Sequence, residues 1–258
     1  MIQLGPCHIV IALSSRSCGE DARVLNLGGN GVFPNLGAVV GVPEVGNLNG
    51  VTLPWYWDFY HRYIGLGLFE SLGGPGDGLI FTREILSVAA VRYVIVDRRF
   101  EEAVNRLKSM KFTEVARDEL RLIFENPHQA SRASLAEGIV PSEHLPHELG
   151  CAFPDTATTT SLELVSEARR MGIGTSMCGP GRKTPPGAVR VVSYDHGSVR
   201  MKAVLSRPAL LVFADTWHPG WNAKINGNPA SIHRVNVAFR GIPLPAGDHE
   251  ITMQYAPS

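Results

Sequence analysis

The sequence predicts an α+β protein in which an N-terminal α/β lobe, residues 1–128, precedes a C-terminal antiparallel β-sandwich, residues 129–258. Helix-like and strand-like segments alternate in the first half, which is typical of an α/β lobe. From residue 188 onward, short strand-like segments follow one another with turn residues between them, as in a sandwich. Gly (27) and Pro (18) are plentiful and charged residues make up only 19% of the chain, which favours strands and loops over a helical bundle.

The first elements of the lobe are one strand and one helix. The strand ARVLNL at 22–27 runs into the turn GGNG. In LPWYWDFYHRYIG, Trp55, Phe59 and Tyr63 are spaced four residues apart, which predicts one face of a helix that stops near Gly65.

Two further helices and three strands complete the lobe. Thr82 can cap a helix, and VRYVIVD at 91–97 is a buried strand bounded by charge. Apolar residues recur at helical spacing in two stripes: Ile85, Leu86 and Ala89, and then Phe100, Val104 and Leu107. KFTEVA and LRLIFEN follow as strands, which ends the lobe near residue 128.

A helical and loop insertion is predicted around residues 141–187. Thr160 and Glu163 form a capping-box pattern ahead of an apolar stripe, and Gly172 ends this short helix. The stripe consists of Leu164, Ala168 and Met171. The segments on either side, PSEHLPHELGCAFPD and CGPGRKTPPG, are rich in turn residues.

Seven strand-like segments then predict the sandwich: AVRVVSYD, SVRMKAVLS, ALLVFADT, NAKING, SIHRV, VAFRGIPL and HEITMQY. Asn226-Gly227 suits a tight hairpin, because both central residues of a type I′ turn need positive φ. We therefore expect antiparallel strands from about residue 188 to residue 256.

Charge and hydropathy exclude two classes of partner. Lys plus Arg (24) equals Asp plus Glu (24) and no basic run occurs, so no overall field attracts nucleic acid or an anionic membrane, and we expect no nucleic-acid binding. The apolar run Ile9 to Leu13 has no basic residue before it, unlike a secretory signal, and no stretch approaches the length of a membrane span. The sequence as written predicts a soluble chain.

Neither glycine-rich segment fits a phosphate site. GGNGVFPNLG follows a strand, but Pro34 breaks the spacing of a dinucleotide-binding loop. In GPGRKT, Arg182 separates Gly181 from Lys183, and the following Pro185-Pro186 excludes the helix that a phosphate loop requires. We expect no cofactor.

The metal and catalytic candidates favour solvated loops. A zinc site could in principle use His144, His147, Cys151 and Cys178, but Pro146 splits the segment and the spacing is not that of a zinc finger. Cys7 and Cys18 complete a set of four cysteines that allows three disulfide pairings, which stay open. The carboxylates Glu143, Glu148 and Asp155 are scattered in loops, and no catalytic triad or G-x-S-x-G is present. We expect neither a metal nor an enzyme active site.

The C-terminal segments LLVFADTWHPGWNAKINGNP and VNVAFRGIPLPAGDHEITMQY resemble the extracytoplasmic tail of YfhO-like bacterial membrane proteins, large GT-C-type proteins linked to glycosylation of cell-envelope polymers. The resemblance is carried by Pro219, Gly220, Trp221, Asn226, Gly227, Asn236, Phe239, Arg240, Pro245, Ala246, Gly247, Tyr255 and Pro257. Departures from the family pattern are Ser131-Arg132, the Asn226-Gly227 hairpin tip and Trp217-His218 before Pro-Gly-Trp.

This resemblance implies a function without catalysis. In GT-C-type enzymes the catalytic carboxylate lies near the first membrane spans, which this chain does not contain. The chain is then a non-catalytic extracytoplasmic domain, on the periplasmic or cell-surface side. Its implied partners are the membrane-spanning part of the same parent protein and an envelope glycan. Met1 would be a fragment boundary, whereas a true start at Met1 favours the alternative, a free-standing carbohydrate-binding or adhesion module.

The candidate binding site is the turn after ALLVFADT. Aromatic side chains there could stack on a sugar ring, with neighbouring polar groups to bind its hydroxyls. These residues are Trp217, His218 and Trp221, with Asp215, Asn236 and Arg240. We favour the structural interpretation, with any glycan contact secondary: Trp221 fills the sandwich core, Pro219-Gly220 turns the chain and Arg240 pairs with a carboxylate.

Overall fold

The computed structural model describes residues 2–3, 23–27, 45, 53–64, 81–128, 131–141, 156–159, 161–175, 184–195 and 197–257. The chain divides into two compact units, Met1–Ala130 and Ser131–Ser258. Several residues singled out above lie outside the described ranges: Pro34, Gly65, Glu143, His144, Pro146, His147, Glu148, Asp155, Thr160, Arg182 and the four cysteines.

The described strands of the first unit form one mixed sheet. They are β1 (Ile2–Gln3), β2 (Arg23–Asn26), β3 (Val91–Asp97), β4 (Thr113–Arg117) and β5 (Arg121–Glu125), in the order β1-β4-β5-β3-β2. The pairs β1–β4 and β2–β3 are parallel, whereas β5 runs antiparallel to both of its neighbours. The predicted strands thus form the sheet of an α/β lobe.

Three described helices accompany this sheet: α1 (Pro54–Phe59), α2 (Arg83–Val88) and α3 (Glu101–Ser109). Thr82 caps α2 as predicted, because its side chain accepts a hydrogen bond of 3.3 Å from the backbone N–H of Ile85.

The buried face of the first helix differs from the predicted one. A π-helical turn, Tyr60–Ile64, follows α1 directly. Tyr56, Phe59, Tyr60 and Tyr63 are buried, at the i, i+3, i+4, i+7 spacing of one helix face. Of the predicted face, Phe59 and Tyr63 are buried, whereas Trp55 is only partly buried.

The second unit contains the predicted sandwich and one helix. Its described strands are β6 (Ala133–Ala136), β7 (Gly138–Pro141), β8 (Thr156–Thr159), β9 (Gly187–Asp195), β10 (Ser198–Leu205), β11 (Ala209–Thr216), β12 (Trp221–Ile225), β13 (Asn228–Ala230), β14 (His233–Val235), β15 (Phe239–Leu244) and β16 (Gly247–Tyr255). One antiparallel sheet has the order β13-β12-β16-β10-β9, and the other has the order β14-β15-β11-β6. The predicted antiparallel strands from residue 188 to residue 256 are confirmed.

A single apolar core joins the two sheets. Along β10, exposed and buried residues alternate strictly, so one face of the strand points inward. The core contains Val199, Met201, Ala203, Leu205, Leu211, Phe213, Ile242, Leu244, Ile251 and Met253. Because these residues come from strands of both sheets, the architecture is a β-sandwich, and the predicted fold class is confirmed.

The helix α4 (Leu162–Met171) packs against β15, β7 and β8. All six residues of β15 are buried, as expected for a strand covered on both faces. The cap of α4 is Ser161, whose side chain accepts a 3.2 Å hydrogen bond from Leu164 N–H, and not the predicted Thr160. Gly172 ends the helix with φ of 81°, as predicted.

The hairpin tip agrees with the prediction, whereas four short strands were not predicted. Asn226 and Gly227 have φ of 50° and 84°, as the predicted type I′ turn requires. The strands β6, β7, β8 and β13 were not predicted. Of these, β6 pairs with β11, and β7 pairs in parallel with β8.

Candidate functional site

The turn between β11 and β12 is held by hydrogen bonds within itself. The ring Nδ1 of His218 accepts a 3.0 Å bond from Gly220 N–H, and the carbonyl of His218 accepts a 3.1 Å bond from Trp221 N–H. A Cβ on Gly220 would lie 3.0 Å from the Tyr255 ring and 3.1 Å from Cα of Pro257, so a larger residue here would have to displace these neighbours by a few tenths of an ångström. His218 also meets Tyr255 edge-to-face, with ring centroids 5.3 Å apart.

Trp221 packs into the sandwich. Its indole lies against the apolar core, and the guanidinium of Arg240 is 3.6 Å from its ring centroid. The ring of Tyr255 is 5.4 Å from it, in a tilted arrangement. The indole is therefore committed to intramolecular packing, which is the structural alternative considered for this residue.

Asp215 links two buried arginines. Its Oδ1 is 3.1 Å from a terminal nitrogen of Arg132, and its Oδ2 is 3.4 Å from one of Arg240. The side chains of both arginines are 3% exposed and that of Asp215 is 15% exposed. The Tyr194 hydroxyl donates a further bond of 3.2 Å to Oδ2. We call Arg132, Asp215 and Arg240 the buried cluster.

Aromatic rings and a backbone carbonyl also stabilise these two cations, since Arg240 Nε donates a 3.0 Å hydrogen bond to the carbonyl of Thr216. Arg132 lies 4.1 Å from the ring centroid of Tyr194, and Arg240 contacts Trp221 as described. Burial lowers the pKa of Arg132, but Asp215 and Tyr194 outweigh it and leave the pKa raised. Burial, and then the charge of Asp215, raise the pKa of the Tyr194 hydroxyl. Arg132 therefore stays charged although it is buried.

Trp217 and Asn236 lie where the β11–β12 turn meets the neighbouring β14–β15 turn. The Trp217 indole N–H donates to the carbonyl of Ile232 over 3.2 Å, and its backbone N–H donates to the carbonyl of Ala238 over 2.7 Å. Asn236 is buried with φ of 46°, and its carbonyl accepts a bond from Ala238 N–H. These two residues fix the chain between β14 and β15.

The structure therefore brings only part of the predicted site together. Asp215, Trp221 and Arg240 meet inside the sandwich, His218 closes the β11–β12 turn, and Trp217 and Asn236 lie where that turn meets the β14–β15 turn. Sequence reasoning missed Arg132, which lies 83 residues before its partner Asp215 in the sequence and follows no local pattern.

An open groove of about 890 Å³ lies beside this region. Trp221 borders it together with polar side chains from three strands, among them Asn222, Thr252 and Gln254. Asn222 and Gln254 are directly opposite in the β12–β16 pair, and both are exposed. The groove thus combines part of an aromatic ring with hydrogen-bonding amides and a hydroxyl, a composition suited to polar ligands.

His233 fixes α4 to the sandwich. Its Nε2 is 3.2 Å from Oε2 of Glu167, and its Nδ1 is 3.4 Å from Oγ of Ser161. Ser161 and Glu167 both lie on or beside α4, whereas His233 begins β14. Because Ser161 Oγ also caps the helix through Leu164 N–H, we assign this trio a structural role.

No group of three or more His, Cys, Asp or Glu side chains is arranged to hold a metal ion within the part of the chain that the structure describes. The predicted zinc candidates His144, His147, Cys151 and Cys178 lie outside that part.

Comparison with protein families adds one match. Residues 187–258 match the family described as bacterial membrane protein YfhO. The C-terminal region of this chain is YfhO-like. The match runs from the first residue of β9 to the end of the chain, and it confirms the resemblance predicted from sequence. No curated protein and no solved structure matches the chain significantly. No helix within the described ranges is long and apolar enough to cross a bilayer.

Proposed function

We propose that this chain is a non-catalytic extracytoplasmic domain of a YfhO-like membrane protein that acts in cell-envelope glycosylation. The proposal rests on the family match at residues 187–258, which includes eight of the nine described strands of the two sandwich sheets, β9 to β16; the ninth strand, β6, precedes the match. The membrane-spanning part of the same parent protein is then its first partner, and no cofactor is needed.

The absence of catalysis is supported by the charges around the groove. Glycoside hydrolysis uses two carboxyl groups on either side of the reacting bond. Among the described residues that line the groove, Glu163 is the one carboxylate. Asp215, the acidic residue of the predicted site, is held between two arginines. We expect no turnover of activated glycosides or polyprenyl-phosphate sugars by the full chain, and turnover that disappears on changing one of its residues would overturn this part.

An acceptor glycan is the second proposed partner, and the groove is its proposed site. The exposed amides of Asn222 and Gln254 can bind sugar hydroxyls, and the edge of Trp221 supplies apolar contact. In this proposal, the glycan lies beside the predicted aromatic turn and contacts mainly side chains that the fold does not require for packing.

Glycan binding can be tested by calorimetric titration of the full chain. The ligands would be hexose and N-acetylhexosamine oligosaccharides and delipidated cell-wall polysaccharide. The double variant Asn222→Ala/Gln254→Ala should lose binding without a change in melting temperature. Asn228→Ala is the matched control, because Asn228 is an exposed amide on the adjacent β13 that does not line the groove. Equal binding by all three proteins would contradict the assignment of the groove.

The proposed side of the membrane has its own test. In intact cells that produce the protein, an Asn228→Cys variant should react with a membrane-impermeant maleimide more strongly than the parent sequence. Asn228 is exposed, so its cysteine replacement should be accessible. Labelling of the variant only after lysis would contradict an extracytoplasmic location.

A further inference from the structure

The outer face of the β13-β12-β16-β10-β9 sheet carries a cluster of cations. Four exposed basic side chains, which we call the basic face, point away from the core: Arg190, Arg200, Lys202 and Lys224. Each occupies an outward position in the alternation of its strand, so all four share one surface.

Strand register places these cations side by side. Lys202 is directly opposite Arg190 on β9. Arg200 is opposite Thr252 on β16, which in turn is opposite Lys224 on β12. Since neighbouring strands are about 4.8 Å apart, the four charges fall within roughly 15 Å of one another. Like charges directly opposite on a sheet destabilise it, so the Lys202–Arg190 pair lowers the stability of the isolated domain.

The nearby carboxylates balance this charge only in part. Glu250 is opposite Lys202 and lies within the two central cross-strand rows. Asp195 and Asp248 are at the two ends of the face, opposite Ser198 and Val204 respectively. The central rows therefore hold four cations and one carboxylate, in a chain whose formal net charge is zero.

Exposed apolar side chains lie on the same face. Val204 on β10 is 59% exposed and Val192 on β9 is 41% exposed. Val204 is opposite Ala188, which is also exposed. A flat surface that combines long cations with exposed valines suits an interface with both phosphate groups and acyl chains, because Lys and Arg can bind the phosphates while the valines contact apolar groups beneath them.

We propose that the basic face binds the surface of an anionic phospholipid bilayer. This rests on the proposed function, in that a domain of a membrane protein is held close to a bilayer. Two observations favour lipid over a dissolved anion: the exposed valines beside the cations, and the family match to membrane proteins. Each Lys or Arg near an anionic membrane strengthens binding by about fivefold.

The lipid test must be separable from the glycan test. Arg200 and Lys224 also border the groove, whereas Arg190 and Lys202 do not. Charge reversal at Arg190 and Lys202 therefore leaves the groove residues unchanged. On α4, Arg169 and Arg170 are an exposed basic pair in the same unit, and their reversal changes the net charge by the same amount.

The experiment is cosedimentation of the full chain with phosphatidylcholine vesicles that contain either 30% or no phosphatidylglycerol, at low and at 0.5 M salt. We expect binding that needs phosphatidylglycerol and weakens at high salt. Arg190→Glu/Lys202→Glu should bind at least about tenfold more weakly. Arg169→Glu/Arg170→Glu should bind within about twofold of the parent chain.

Three outcomes would overturn the proposal: no binding to either vesicle, equal binding to both vesicles, or equal loss in both reversal variants. Tighter binding to soluble polyglutamate than to the anionic vesicles would also overturn it and would indicate an acidic polymer as the partner. Glycan titration of Arg190→Glu/Lys202→Glu separates the two proposals, because loss of vesicle binding with normal glycan binding supports the lipid face alone.

Discussion

The buried cluster and the basic face use the same kinds of charged residue in opposite ways. In the buried cluster, each arginine has Asp215 and an aromatic ring as partners inside the sandwich. On the basic face, Lys202 and Arg190 lie next to each other in solvent. The charges between the sheets are thus paired with one another, so that removing one of them would leave another buried and uncompensated, whereas the charges on the outer face are available for a partner.

The largest loss of stability is expected when Asp215 is changed. Asp215→Ala would leave the guanidiniums of Arg132 and Arg240 buried without their shared carboxylate. Removing one member of a buried ion pair costs about 3 to 5 kcal/mol. Urea denaturation of the full chain should show a loss of that size in the free energy of unfolding.

Asp248→Ala is the matched control, because Asp248 is an exposed aspartate on β16. It should change stability by less than about 0.5 kcal/mol. If the two variants unfold at the same urea concentration, the buried cluster is not a stabilising feature.

A smaller effect is expected at Trp217. The indole is partly buried and bonded to the Ile232 carbonyl, so Trp217→Ala should cost about 1 to 2 kcal/mol. Trp217→Phe keeps part of the apolar contact and should recover part of the loss in a thermal melt. An unchanged melt for Trp217→Ala would show that the indole contact contributes nothing.

At the N-terminal cap of α4, we expect Ser161→Ala to lower the free energy of unfolding by about 1 kcal/mol. Ser161→Ala removes the acceptor for Leu164 N–H and the contact with His233. Ser166→Ala, in the exposed part of the same helix, is the control and should be neutral or slightly stabilising, since alanine favours helix. Denaturation curves that coincide for Ser161→Ala and Ser166→Ala would exclude Ser161 as the cap that matters.

The smallest effect is expected on the basic face. Arg190→Ala/Lys202→Ala should leave stability within about 0.5 kcal/mol of the parent chain, because both side chains are exposed. Any shift should be towards higher stability at low salt, since two like charges are removed. A loss of more than 1 kcal/mol would mean that the two cations serve the fold.

The sequence predicted the elements that local patterns define. The sandwich strands follow from alternation and turn residues, and the Asn226-Gly227 hairpin follows from its φ requirement. The short strands β6, β7 and β8 have no such pattern. They form strands because they pair with segments that are distant in sequence. β6 is hydrogen-bonded to β11, and β7 and β8 are hydrogen-bonded to each other.

The candidate site was harder to predict because adjacent residues of a strand point to opposite faces of the sheet. Trp221 and Asn222 are adjacent, yet the first packs inward and the second is exposed. The sequence points to Trp221 and not to Asn222 as a sugar-binding residue, and only the structure shows that Asn222 is the one that faces the solvent. The same limit explains Ser161, since Thr160 next to it is an equally good cap by composition.

The central claim is that the Trp217–Trp221 turn is structural and that the outward side chains next to it are the ones available for binding. The most direct test is the free energy of unfolding of Trp221→Ala measured beside that of Asn222→Ala. Our account predicts a loss of about 3 kcal/mol or more for Trp221→Ala, because the indole packs on the core and on Arg240, and less than about 0.5 kcal/mol for Asn222→Ala. A Trp221→Ala protein that unfolds like the parent chain would contradict it.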